Sequence, residues 1–212
     1  MKVSLVRYTP APDEICGQAA ALCYHSESPE RSLRGALRRG HGSVSEHNAF
    51  TFRVEGVSRV LLAQITRHRI ASFSVESQRY CGANLDVVIP PSLWDAELVD
   101  EIIDVKRAIE KLYHKAVSMG KPAEDARYFT LQAGKTAFFV TMNARELAHF
   151  FELRCCNRAQ WEIRELAWHM LRVCKEAAPE LFKKAGPPCM FGSCPEGRNS
   201  CGKPYKEGQG HE

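Results

Sequence analysis

Several features that would place a chain quickly are missing here. No apolar run approaches the ~20 residues of a membrane-spanning helix. The opening stretch, MKVSLVRYTPAPDE, lacks the apolar core of a secretory leader. The expectation is therefore a cytoplasmic protein with no membrane partner. No G-x-G-x-x-G occurs, so any dinucleotide must be held without a Rossmann turn. Nine cysteines are present but none forms a C-x-x-C pair. Cys189, Cys194 and Cys201 are separated by gaps of four and six residues, which is not zinc-site spacing, so no metal is expected. The odd count without a leader argues for reduced thiols rather than a disulfide framework. Large charge imbalance is also missing. Against 29 basic residues stand 25 acidic ones, a net of +4. That balance does not demand nucleic acid, but it suits small anionic ligands where positive charge is locally concentrated. No internal repeat and no linker between two cores is visible.

What is present is a soluble, globular composition over 212 residues, with 44% hydrophobic and 25% charged residues. Met1 to Thr9 reads as a strand and residues 13–24 as a short helix. Another helix is predicted over residues 29–39, with Ser28 as its cap, Pro29 in its first position and Gly40 at its exit. HNAFTFRV, residues 47–54, has strand composition. In VSRVLLAQI, Val57, Leu61 and Ile65 share a helical face. Residues 72–91 look irregular. Ser92 and Asp95 resemble a capping box. The spacing of Leu98, Ile102, Val105, Ile109, Leu112 and Ala116 then predicts an amphipathic helix ending near Gly120. A helical stretch near residues 122–132 precedes the strand-like KTAFFVTM. Two helices follow, NARELAHFFELRCC and a longer one continuing to Ala185. The last 27 residues contain six glycines, four prolines and three cysteines and read as an extended tail. The expected organisation is one domain over 1–185 and a tail over 186–212.

The most unusual local feature is Arg67-His68-Arg69, followed by Ser72, Ser74, Ser77 and Arg79. Like charges repel, so a folded site that gathers them calls for an anion. Arginine forks match phosphate oxygens, and serine hydroxyls add donors. Gln64 lies one turn before the triplet. A solvated basic loop is the plain alternative, and a nucleic-acid-binding protein built on the same triplet is the rival function. A second feature is GHGSVSEH, with His41, Ser43, Glu46 and His47. Its glycines permit close backbone approach to a ligand. In NARELAHFFELR, at 100° per residue, Arg145, His149 and Glu152 share one face and Leu147, Phe150 and Phe151 the opposite one. Arg154 falls amid the apolar face, where a cation is costly unless paired or used. A helix frayed by that point, with Arg154 at its C-terminal dipole, is the alternative. Cys155-Cys156 reads as core filling, although a nucleophilic Cys155 or Cys81 would define a second rival enzyme.

Together these features resemble the flavin-dependent thymidylate synthases. The hallmark is Arg67-His68-Arg69, the seven residues IASFSVE, then Ser77, continued by Gln78-Arg79-Tyr80. Gly40-His41, Glu46-His47, NAR, LR and AQWEIR add to it. The resemblance runs from about residue 1 to 184.

It implies an α+β fold with a mixed sheet flanked by helices, and a homotetramer whose active sites draw on several subunits. It implies FAD as cofactor, NADPH as reductant, methylenetetrahydrofolate as carbon donor, dUMP as substrate, and dTMP and tetrahydrofolate as products. By position, Ser43, Arg67, His68, Arg69, Asn143, Arg145 and His149 correspond to flavin contacts, although asparagine is frequent where His149 stands. Gln64, Arg67, Ser77, Gln78, Arg79 and Arg127 correspond to nucleotide contacts. Arg154 corresponds to the arginine that activates the uracil ring, and His41 to a histidine of the folate and flavin region. One departure is Val75, where many members carry glutamate or glutamine; the acid here is Glu76.

Overall fold

The structure, a computed structural model, describes residues 1–206. Its four strands are β1 (Lys2–Tyr8), β2 (Phe50–Ser58), β3 (Ala71–Val75) and β4 (Lys135–Met142). Its α-helices are α1 (Pro12–Tyr24), α2 (Pro29–Arg38), α3 (Arg59–Ile65), α4 (Ala96–Ser118), α5 (Ala123–Ala126), α6 (Ala144–Arg154) and α7 (Trp161–Ala177). The α+β class holds. The strand order is β1-β2-β4-β3.

The sheet is antiparallel where a mixed one was expected. Thr9 N–H donates to Ala49 O, so the two helices between β1 and β2 return the chain to the end it left. The next strand must then run in the opposite direction. On β2 and β4, the Thr51 and Thr141 hydroxyls meet at 2.9 Å, while Arg59 N–H donates to Gly134 O at the other end. Rising numbers on one strand face falling numbers on the other, which is antiparallel register.

The chain divides into two compact units. The first comprises Met1–Lys2, Val54–Thr66 and Phe73–Phe139. Its core includes Val57, Leu61, Ile65 and Phe138. The second comprises Val3–Arg53, Arg67–Ser72 and the chain from Val140 onward. There Phe50 stacks on Tyr8 at 5.9 Å and meets the edge of Phe182 at 5.4 Å. In the same unit α1 approaches α2 so closely that a Cβ on Gly17 would lie 3.0 Å from Pro29 O, which favours glycine there.

Local chemistry explains most boundaries. Phe50, Phe52 and Val54 are buried and Arg53 is exposed, the period of a half-buried strand. Asp95 accepts Glu97 N–H at 3.1 Å, so α4 begins at Ala96 rather than at Ser92. Ser28 stands at the start of α2, but its hydroxyl makes no capping bond; Pro29 supplies the helical φ instead. The region expected to be irregular contains β3, which ends where Glu76 N–H donates to Ala137 O. Helix α7 stops at Ala177 because Ala178, ahead of Pro179, adopts φ −148°. Beyond it, Asp13 accepts the N–H groups of Glu180 and Leu181 at 2.9 Å each. The tail includes two 3-10 turns, Pro188–Met190 and Gly197–Asn199, and Tyr205 packs on Trp168.

Candidate active site

In the second unit a cavity of about 800 Å³ opens beside α6. Arg67, His68, Arg69, Asn143, Arg145 and His149 line it, with Arg154, Glu46 and Glu146. Three segments distant in sequence converge there. The Gly42–Glu46 turn brings Glu46, the chain after α3 brings the triplet, and α6 brings the rest.

The start of α6 is fixed by asparagines. Asn143 Oδ1 accepts Glu146 N–H at 2.9 Å. Buried Asn48 accepts Ala144 N–H at 2.8 Å and donates to Ser45 O and Cys16 Sγ, both at 3.1 Å. These bonds satisfy first-turn N–H groups that have no partner within the helix. Leu147, Phe150 and Phe151 are fully buried, so the predicted apolar face is the packed one. Arg154 sits half-buried at the end of that face.

Arg154 is paired in an instructive way. Its Nε donates to His68 Nε2 at 3.2 Å. A guanidinium has no acceptor, so Nε2 carries the lone pair and Nδ1 carries the proton. Nδ1 then donates to Glu146 Oε1 at 2.9 Å. His68 and Glu146 are both buried. Burial is the main reason the His68 pKa lies below its ordinary value; Arg154 and His149 push the same way, against Glu146. The Arg154 pKa is also lowered, first by burial and then by Arg67. A Glu146–His68–Arg154 chain thus holds one cation at the cavity edge. Glu146 was not singled out from the sequence, because its carboxylate is buried against a residue 78 positions away.

The remaining charges are unevenly matched. Arg145 pairs with Glu46. Gly42 lies against Arg145, with a hypothetical Cβ 3.4 Å from Nε. Arg67 and Arg69 are exposed and have no carboxylate partner among the described residues. Ser43 is in the same turn as Glu46 but does not line the cavity. His41 Nδ1 instead meets the Tyr24 hydroxyl at 2.7 Å.

The first unit carries a separate cavity of about 300 Å³, lined by Arg59, Gln78, Arg127, Tyr128 and Thr130 among others. Gln78 is buried. Ser77 Oγ accepts N–H groups from Arg79 at 3.1 Å and Tyr80 at 3.3 Å, which shapes the turn that presents Gln78. Arg79 pairs with Glu124 at 2.5 Å. Gln64 is half-exposed at the end of α3 and does not line this cavity. Arg59 was missed by sequence reading; a basic residue opening an apolar helix carries no local signal.

The cysteines supply no nucleophile in either cavity. Cys155 is fully buried and its pKa is pushed far up by desolvation. Cys156, Cys189, Cys194 and Cys201 line a small cavity of about 20 Å³. Among the described residues no three His, Cys, Asp or Glu side chains are placed to hold a metal.

A family described as Thymidylate synthase complementing protein matches residues 4–180. The flavin-dependent thymidylate synthase of Geobacter sulfurreducens is 46% identical over 219 residues, covering 96% of this chain and 94% of its own. The chain belongs to the flavin-dependent thymidylate synthase family. The Clostridium tetani member is 42% identical, with 96% of this chain and 94% of its own covered. Among solved structures, the Helicobacter pylori flavin-dependent thymidylate synthase complexed with FAD and dUMP superposes with a TM-score of 0.70. It is 26% identical and covers 88% of this chain and 100% of that one. The UMP/dUMP methylase from Streptomyces cacaoi, bound with 5-Br dUMP, gives 0.74 at 22% identity, covering 86% and 93%. That likeness bears on the fold alone. As a member of that family the chain is an enzyme. No helix among the described residues is long and apolar enough to cross a membrane.

Proposed function

We propose that this flavin-dependent thymidylate synthase methylates dUMP to dTMP, taking its carbon from methylenetetrahydrofolate and its reducing equivalents from NADPH through FAD, and releases tetrahydrofolate. The observation that carries this reading is the unneutralised pair Arg67 and Arg69 on a cavity of about 800 Å³. That volume falls in the range of small-molecule and cofactor sites. Two free guanidinium forks suit the diphosphate of a dinucleotide, so the residues present fit FAD. Arg67, His68, Arg69, Asn143, Arg145 and His149 are proposed to hold it, with Ser43 in the adjoining turn. When bound, the flavin supplies hydride chemistry that the folate would otherwise provide.

The chain's own residues have distinct tasks. Ser77, Gln78, Arg79 and Arg127, with Gln64 and Arg67, are proposed to bind the nucleotide. Arg154 is proposed to face the uracil ring. For C5 to attack an electrophilic methylene, negative charge must build on the ring. A fixed cation stabilises that charge without a covalent thiol adduct. His68 Nε2 accepts from Arg154 Nε, which leaves the terminal guanidinium nitrogens to meet the ring. Ser77 acts as a hydrogen-bonding group. The nucleotide groups and Arg154 are proposed to serve one active site assembled from several copies of the chain.

The test is a completed reaction of the purified, FAD-loaded enzyme with dUMP, methylenetetrahydrofolate and NADPH, resolved by chromatography. The expected products are dTMP and tetrahydrofolate. Stoichiometric dihydrofolate, or failure to take up FAD, sinks the proposal. A colourless protein that binds oligonucleotides would favour the nucleic-acid reading.

A further inference from the structure

We propose that Arg59 is a second guanidinium ligand for the phosphate of the bound nucleotide, acting with Arg127 across the cavity of the first unit. This rests on the nucleotide reading above and extends it to a residue outside the hallmark motifs.

The cavity is chemically one-sided. Arg59, Gln78, Arg127 and Thr130 line it, and no carboxylate among the described residues does. Its two guanidinium groups are near enough that Arg127 disfavours the charge on Arg59. Burial lowers the Arg59 pKa more strongly still, and Glu76 offsets only part of this without forming an ion pair among the described residues. Arg59 Nη1 is buried and has no hydrogen-bond partner among the described residues. A buried donor left unpaired is unfavourable, so each such case calls for a partner. Two cations lining one cavity, one with an orphaned donor, call for an anion with several acceptor oxygens. A phosphate monoester is that anion, since its oxygens can accept from both forks at once.

The backbone holds Arg59 firmly. Its own N–H donates to Gly134 O at 3.1 Å, and Ser58 Oγ accepts Leu61 N–H at 3.1 Å. The opposing wall is also braced. Arg127 Nε donates to Glu124 O at 3.2 Å, and Thr130 Oγ1 donates to Arg127 O at 2.8 Å. The main chain at Arg59 and the side chain of Arg127 are thus both anchored where they line the cavity, which limits the ordering left when phosphate arrives.

The experiment titrates FAD-loaded wild-type enzyme, Arg59→Gln and Arg59→Lys with dUMP and with deoxyuridine at high concentration, following heat or the flavin spectrum. Arg59→Gln is expected to weaken dUMP roughly 10- to 100-fold, the scale of a hydrogen bond to a charged group. Deoxyuridine affinity should change less than about twofold. Arg59→Lys keeps the charge but loses the fork, so its dUMP affinity should lie between the two. Should the glutamine variant not fold, the lysine variant decides by the same contrast. Equal weakening of dUMP and deoxyuridine overturns the phosphate role, as does undiminished dUMP binding. Dissociation of the enzyme into smaller species with no selective loss of dUMP also overturns it, and assigns Arg59 to an interface. If wild-type enzyme binds no dUMP, the nucleotide reading itself falls, and the proposal with it.

Discussion

At the scale of single residues, Arg154 shows how an unfavourable placement becomes useful. A guanidinium at the edge of an apolar helix face is tolerable because His68 and Glu146 hold it in one orientation. Arg154→Ala is expected to cut dTMP formation roughly 100- to 1,000-fold, about 3–4 kcal/mol of transition-state stabilisation. NADPH-driven bleaching of the flavin should survive, because Arg67, Arg69, Asn143 and Arg145, which are proposed to hold FAD, stay in place. A variant with near-normal dTMP production would make Arg154 merely structural. Glu146 adds a subtler case. Glu146→Gln retains an oxygen that accepts from His68 Nδ1, so turnover should stay within a few-fold of wild type. Glu146→Leu frees the imidazole to change tautomer, and a loss of roughly 10- to 100-fold in kcat is expected with FAD still bound. Equal behaviour of the two variants would refute the positioning role. His68 also ties stability to pH. Its folded pKa is depressed, so the unfolded chain binds the proton first. Its contribution is fully present above the ordinary histidine value of about 6.5 and is lost as pH falls through the lower folded value. Denaturation midpoints should therefore drop between about pH 7.5 and about pH 5.5 by more in wild type than in His68→Gln.

At the scale of elements, α6 depends on how its first turn is anchored. Asn143 caps it locally, and Asn48 reaches it from 96 residues away. Asn143→Ala should cost about 1 kcal/mol, the usual value of an N-cap. Asn48→Leu should cost more, roughly 1–3 kcal/mol, because it strands the buried Ala144 N–H. Urea denaturation of both variants decides the order, and a harmless Asn48→Leu would show that water or a shifted helix replaces the bond. Asn143 was named from the sequence only as a flavin contact implied by the resemblance, and its capping role came from the structure. Asn48 was not named, since its partners are distributed over Cys16, Ser45 and Ala144.

At the scale of the whole molecule, exposed apolar side chains suggest that one copy is incomplete. Leu22 is 77% exposed, Trp94 71% and Phe129 66%. Isolated exposed apolar residues are ordinary, and the homotetramer that the resemblance implies is expected to cover such large ones. Sedimentation of the FAD-loaded enzyme is expected to give a tetramer across a wide concentration range. A stable, active monomer would rule out an active site shared among copies.

Sequence alone determined what depends on nearest neighbours and on period. The strand composition of residues 47–54, the helical face of Leu147, Phe150 and Phe151, and the adjacency of Arg67, His68 and Arg69 are all local facts; the first two have their expected structural expression, and the three basic residues line one cavity. Local chemistry also misled: Ser28 matched a capping pattern, but the helix start was already set by Pro29. Tertiary structure decided what depends on pairing at a distance. The direction of the strands was settled by where α1 and α2 return the chain. The tautomer of His68 was settled by a carboxylate and a guanidinium far along the sequence. The orphaned nitrogen of Arg59 exists only because folding strips it of water and brings no partner. Burial and long-range hydrogen bonds are properties of the packed chain, and no local pattern encodes them.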